Sequence, residues 1–137
     1  MRDKIHDAIR RAFEKAGWNV VKDPFNVTLK GATIGIDLAV EKVIEFAKEE
    51  ERVLVEIKTL EKKSILYEFY SVYGQYSFYE YWISKKGINQ PLYLAVSVEA
   101  YNRISKLRAL KEWIEDQEIN FVIVDVIKER IVKWIKY

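Results

Sequence analysis

The sequence predicts an α/β (α+β) fold: one mixed β-sheet with helices packed on its faces. Three observations predict it. Apolar residues at helical spacing open the chain over residues 2–16. Short runs rich in Val, Ile and Leu follow, either alternating or unbroken, as strands require. Stretches of helical length, 65–85 and 99–116, stand between those runs, so strands and helices interleave. At 137 residues, half of them hydrophobic, the chain has the size of a single domain, 1–137, with enough apolar surface for a core.

The elements read in order as follows. Ile5, Ala8, Ile9, Ala12 and Phe13 form the apolar face of the first helix, and Gly17 stops it. Asn19 to Lys22 is a short strand or extended lead-in, and Asp23-Pro24 turns the chain. Val27 to Leu29 is extended, with a turn at Lys30-Gly31-Ala32. From Thr33 to Ala47 apolar residues fall mainly at even positions, which predicts one long strand. A helix over 38–50, rich in Ala, Glu and Lys, is the competing reading. Lys48 to Glu51 then makes a charged hairpin into a strand at 52–58. Ser64 caps a helix over 65–85 that Gly87 ends. Gln90 to Ser97 is a strand, Glu99 to Asp116 a helix, and Asn120–Ile127 and Arg130–Lys136 are closing strands. The predicted order is αβββαβαββ.

Composition narrows the chemistry. The chain has no Cys, which excludes disulfides, thiolate metal sites and a Cys nucleophile. Its single His, His6, excludes a multi-His zinc centre and reads as a packing or polar surface residue. No run of 18 apolar residues exists, so no membrane span is expected and a cytoplasmic location is. A net charge of +2 gives no bulk attraction to nucleic acid. Lys58, Lys62, Lys63, Lys85 and Lys86 are candidates for a local basic patch, with solvated surface as the plainer reading.

Chemistry concentrates in Arg52-Val53-Leu54-Val55-Glu56-Ile57-Lys58. Strand side chains alternate, so Glu56 and Lys58 share a face with Leu54 behind them. Charges on so apolar a strand are costly unless paired or used. Asp37 precedes Glu56 by nineteen residues on the expected neighbouring strand. In a suitable register the two carboxylates converge on a site for Mg²⁺ or Mn²⁺. Without the ion, carboxylates ~4 Å apart repel by about 4 kcal/mol at an effective dielectric of ~20. The Ile57 carbonyl is a candidate further ligand, and Lys58 can orient or deprotonate a water. The bland alternative is an edge ladder with both charges solvated.

The helix at 65–85 holds nine of the nineteen aromatic residues, to be spent on a core or a dimer partner. Gln75 and Tyr79 sit at i and i+4 on one of its faces. Gln75 is expected to hold a water or phosphate oxygen, because an amide among so many rings needs a partner. Tyr79, Lys62 and Lys63 are the candidate DNA contacts. Glu41 shares Asp37's face but lies about 13 Å along the strand, too far to share its metal. Glu14 or Asp7 can complete the site if the first helix crosses the sheet.

Asp37, Glu56-x-Lys58 and Gln75-x-x-x-Tyr79 together resemble the PD-(D/E)xK nuclease superfamily. Gly17-Trp18, Asp23-Pro24, Ile36-Asp37-Leu38, Glu41-Lys42, Val55-Glu56-Ile57-Lys58, Gly74-Gln75-Tyr76, Leu92-Tyr93-Leu94-Ala95-Val96 and Trp134-Ile135 resemble the XisH family, small cyanobacterial proteins named as controlling factors for excision of the fdxN element. The resemblance implies a restriction-endonuclease-like sheet with Asp37, Glu56 and Lys58 in the nuclease positions and Gln75 supporting them. It also implies work beside a site-specific recombinase and a companion, XisI. Ala39 and Thr59 stand where Gly and Ser are expected, and Ile36 stands where the superfamily name has Pro. Two functions follow: a Mg²⁺-dependent DNA endonuclease, or a non-catalytic DNA-binding regulatory subunit acting through protein partners.

Overall fold

The computed structural model describes residues 4–44, 46 and 49–137. Helix α1 (Lys4–Lys15) is followed by five strands: β1 (Asn19–Lys22), β2 (Phe25–Leu29), β3 (Ala32–Ile36), β4 (Leu38–Ile44) and β5 (Glu49–Ile57). Then come α2 (Ile65–Lys85), β6 (Leu92–Ser97), α3 (Val98–Lys106), α4 (Arg108–Asp116), β7 (Phe121–Asp125) and β8 (Arg130–Ile135). Six strands form one mixed sheet in the order β1-β4-β5-β6-β7-β8, and β2 with β3 forms a separate hairpin. The central strands β5, β6 and β7 run parallel, and their outer neighbours are antiparallel. Parallel neighbours need crossovers, which α2 and the α3–α4 pair supply.

The sheet separates two cores. On one face Leu38, Val40, Val53, Val55, Tyr93, Ala95, Val122 and Val124 pack beneath Ile9, Ala12 and Phe13 of α1. On the other, Ala39, Leu54, Leu92, Leu94 and Phe121 meet α2, α3, α4 and the β2–β3 hairpin. The parallel strand β6 is buried at every position, as a strand covered on both faces must be. Helix α2 has the bounds expected from sequence, with the Ser64 hydroxyl accepting from Tyr67 N–H at 3.3 Å. It buries Phe69, Val72, Tyr76, Tyr79 and Ile83, alternating steps of three and four that make one stripe.

The fold class agrees with expectation; four details do not. The long strand expected over 33–47 is two strands, β3 and β4, in different sheets, and no helix forms among its described residues. The chain breaks at Asp37. Ile34 and Ile36 face the α2 core, whereas Leu38 and Val40 face the α1 core. Alternation survives the break while the facing inverts, so periodicity could not reveal it. Second, β5 starts at Glu49, so Glu49 to Glu51 belong to the strand rather than its turn; Lys48 lies outside the described residues, as do Arg2 and Asp3 of the expected first helix. Third, the helix expected over 99–116 breaks at Leu107 (φ −94°, ψ 91°). Ala100 and Ile104 are buried before the break and Leu110 and Ile114 after it. Six residues separate Ile104 from Leu110, a step that a straight helix would point about 120° away. Fourth, the element order gains two strands before α2 and one helix after β6.

Candidate functional site

The β4–β5 ladder decides where the acids meet. Its pairs run from Ile44↔Glu49 to Leu38↔Val55, and one further rung sets Asp37 opposite Glu56. Each carboxylate accepts from a backbone N–H of the other segment. Asp37 N–H donates to Glu56 Oε1 at 3.2 Å, and Ile57 N–H donates to Asp37 Oδ2 at 2.8 Å. The N–H of Ile57, the residue whose carbonyl is a candidate metal ligand, thus engages Asp37. Lys58 follows the strand, its N–H bound to the Ala95 carbonyl, and its Nζ lies 3.3 Å from Glu56 Oε2. Glu56 shares its rung with Leu94 of β6, and its face is the one that packs on α2.

Glu56 is 5% exposed. Burial pushes its pKa up to about 7, and the Asp37 charge pushes the same way. The Lys58 charge, the Asp37 N–H and the Lys58 hydrogen bond oppose the shift. Near neutral pH this carboxyl is therefore poised between its acid and its anion. Tyr79 lies in the same field: burial raises its pKa, and the charges of Glu56 and Asp37 add to that, against a hydrogen bond from Gln75. That bond runs from Gln75 Nε2 to Tyr79 Oη at 3.0 Å. The other end of the amide, Oε1, is buried and has no hydrogen-bond partner among the described residues. A buried carbonyl oxygen without a donor costs about 1–3 kcal/mol, and a cation or a water would satisfy it.

The donor chemistry here is hard: two carboxylates, of the kind that suits Mg²⁺ or Mn²⁺, with the unpartnered Gln75 amide oxygen one residue removed, behind Tyr79. Among the described residues no three His, Asp or Glu side chains cluster closely enough to hold an ion by themselves. The donors beyond Asp37 and Glu56 would thus be the Gln75 amide, backbone or water, and on that basis the residues fit the group.

Helix α1 does cross the sheet to this place, but the residue it delivers is His6. His6 Nδ1 lies 3.9 Å from Asp37 Oδ1, and Nε2 lies 3.0 Å from Asp23 Oδ1. Arg10 holds the other Asp23 oxygen at 2.6 Å. A packing or surface role for His6 is therefore replaced by a place in a chain from Arg10 through Asp23 and His6 to Asp37. The signal that could have found it was the Asp23-Pro24 turn, which returns an acid to α1. Glu14 instead points at Arg10, 3.9 Å away, and Asp7 contributes to raising the pKa of Arg11. Glu41 pairs with Arg52 at 3.6 Å, away from Asp37.

The lysines divide. Lys62 and Lys63 are exposed on the loop that follows Lys58. Arg103 fixes that loop by donating to the carbonyls of Leu60, Lys62 and Lys63, and Glu68 accepts from Lys62 N–H at 2.9 Å. Leu60, buried with φ +53°, is strained there, so the loop needs that clamp. Lys85 and Lys86 lie at the far end of the 21-residue α2, about 30 Å from Lys62 and Lys63 at helical rise. The five candidates therefore make no single patch. Beside Lys58, a groove of about 400 Å³ lined by Ile5, Thr59, Leu60, Glu61, Ser97 and Arg103 opens at the carboxyl ends of β5 and β6. That is the usual location of a ligand crevice in a parallel sheet. Among the described residues no helix is long and apolar enough to cross a membrane.

Comparison with known proteins extends the picture over the whole chain. The model of the XisH protein family matches residues 1–132. A solved XisH family protein from Nostoc punctiforme superposes with a TM-score of 0.85 at 30% identity, covering 98% of this chain and 100% of its own. A solved fdxN element excision controlling factor from Anabaena variabilis superposes with a TM-score of 0.86 at 29% identity and the same coverage. No curated protein matches. With sequence and fold agreeing from end to end, the chain belongs to the XisH family.

Proposed function

We propose that this protein is a divalent-metal-dependent DNA endonuclease whose cutting or nicking controls the excision of a DNA element. One observation carries the reading: Asp37 and Glu56 face each other across the last rung of a ladder, with the Lys58 ammonium 3.3 Å from Glu56. Structural ion pairs are common, but a buried acid held near neutrality in an apolar sheet is expensive unless it serves a site. Mg²⁺ or Mn²⁺ held by Asp37 and Glu56, with the Gln75 amide, would supply Lewis-acid chemistry and a more acidic water. Lys58 would orient the attacking water and offset the charge that grows on the phosphate. Tyr79 bears on the backbone or a base of the bound strand, and Lys62 and Lys63 meet phosphates at the rim. DNA is the substrate; a recombinase and a XisI-like companion are the protein partners of the pathway. Agreement with the PD-(D/E)xK superfamily in the spacing of Asp37, Glu56 and Lys58 supports the same reading.

A second reading is favoured by the words "excision controlling factor" in the name of the Anabaena variabilis relative. There the chain is a non-catalytic DNA-binding subunit that regulates a recombinase. Incubating supercoiled plasmid with Mg²⁺ or Mn²⁺ separates the two. Metal-dependent nicking by the wild type, lost in Lys58→Ala, supports the enzyme. No nicking by either, with a gel shift that persists in Lys58→Ala, rejects it in favour of the regulator.

A further inference from the structure

We infer that this chain forms a two-fold homodimer through α2, the helices crossing antiparallel at Gly74. The inference does not depend on the nuclease reading.

Helix α2 buries one stripe and exposes another. Tyr67, Tyr70, Phe78 and Tyr81 are between 48% and 73% exposed. Single exposed rings are ordinary, but four along one face of one helix form a patch that calls for a cover. Exposed Ser71, Gly74 and Ser77 lie between them. Between Tyr67 and Tyr81 this face carries no charge, although a third of the chain is charged; Lys85, one turn beyond Tyr81, is its first cation.

Gly74 is the centre of the pattern. Glycine inside a helix costs about 1 kcal/mol relative to Ala. Nothing in the described chain requires it, because a Cβ at position 74 meets no atom within 4 Å. A glycine unexplained from within is explained by a backbone that approaches from outside. Around it the face is a palindrome. Ser71 and Ser77 stand three residues to either side, Tyr70 and Phe78 four, Tyr67 and Tyr81 seven. A two-fold contact pairs residue i with residue j while j meets i, so mirrored positions must be complementary, and ring on ring and hydroxyl on hydroxyl meet that condition. Antiparallel crossing at Gly74 sets Tyr70 on the partner's Phe78, Tyr67 on the partner's Tyr81 and Ser71 on the partner's Ser77. The rings already sit as two groups flanking the crossing, Tyr67 with Tyr70 at 5.5 Å and Phe78 and Tyr81 both against Trp82. Nucleic acid is the poorer occupant: between Tyr67 and Tyr81 the face carries no cation, and the lysines near α2 lie at its two ends.

Light scattering at micromolar concentration tests this, with a mass twice 16.3 kDa expected for the full chain. Gly74→Arg has room in the monomer, so its circular dichroism should match the wild type while its mass falls to that of one chain. Because the chain lacks Cys, cross-linking is clean. An oxidised mixture of Ser71→Cys and Ser77→Cys should yield covalent dimer, while Ser77→Cys alone should not, whether or not Gly74→Arg folds. A monomeric wild type, a dimer that survives Gly74→Arg, or a Gly74→Arg whose only change is weaker binding of duplex DNA would each overturn the inference.

Discussion

The two ends of the β4–β5 hairpin carry the same kind of side chain and treat it in opposite ways. Toward the tip, Glu49, Glu50 and Glu51 are exposed, and Arg52 reaches Glu50 at 2.8 Å and Glu41 at 3.6 Å. At the other end Glu56 is buried, with its pKa near 7, against Asp37 and Lys58. The ladder and register are shared. What differs is the covering: the site end lies between two cores, while Val43 and Ile44 at the tip face solvent. A carboxylate's chemistry here is set by what packs over it.

The sharpest contrast is the one the proposed nuclease function would show. On that reading Glu56→Gln should lower metal-dependent plasmid nicking by about 10²-fold or more, the size of a lost acid–base or ligand group, whereas Glu50→Gln leaves it near the wild-type rate. Titrating plasmid with Mn²⁺ measures both. Next comes packing. Leu54→Ala, beneath Glu56 in the α2 core, should cost about 2–5 kcal/mol in urea denaturation, while Val43→Ala at the tip stays within about 0.5 kcal/mol.

The third contrast is in pH. The folded Glu56 carboxyl holds its proton more tightly than the unfolded one. Its contribution to stability is therefore whole below the unfolded value of 4.5 and is lost as pH rises through about 7. A displacement of that size corresponds to about 3 kcal/mol at most. Glu56→Gln should consequently gain on the wild type between pH 5 and 8, by a margin that Mg²⁺ would reduce at the proposed metal site, where it would stabilise the wild-type anion. Equal pH profiles of the two proteins would remove Glu56 as the poised group. The smallest effect is expected at the tip: Arg52→Ala, breaking exposed pairs only, should leave the Tm unchanged within error.

Much of the architecture was legible before folding. Helix α2 could be read to the residue because its signals are local, a serine cap and a stripe of fixed period. The pairing of Asp37 with Glu56 was legible as a register possibility, since a hairpin converts spacing along the chain into opposition across it. The break at Asp37 was not, because β3 and β4 each alternate and the inverted facing leaves no mark on the pattern. Nor was the split of α3 from α4 at Leu107, a residue that breaks no helix by propensity.

By itself, then, the amino-acid order determined the interleaving of strands and helices, the two acids nineteen residues apart with a lysine beside the second, and an amide set among rings. Folding alone decided that His6 and Asp23 join Asp37, that the Gln75 oxygen finds no donor among the described residues, and that the lysines separate to opposite ends of a helix. The reason is one of range. Periodicity and capping report contacts within a turn or a rung, whereas residues 6, 23, 37 and 56 meet, with Tyr79 in their field, only because α1 and α2 close on opposite faces of one sheet.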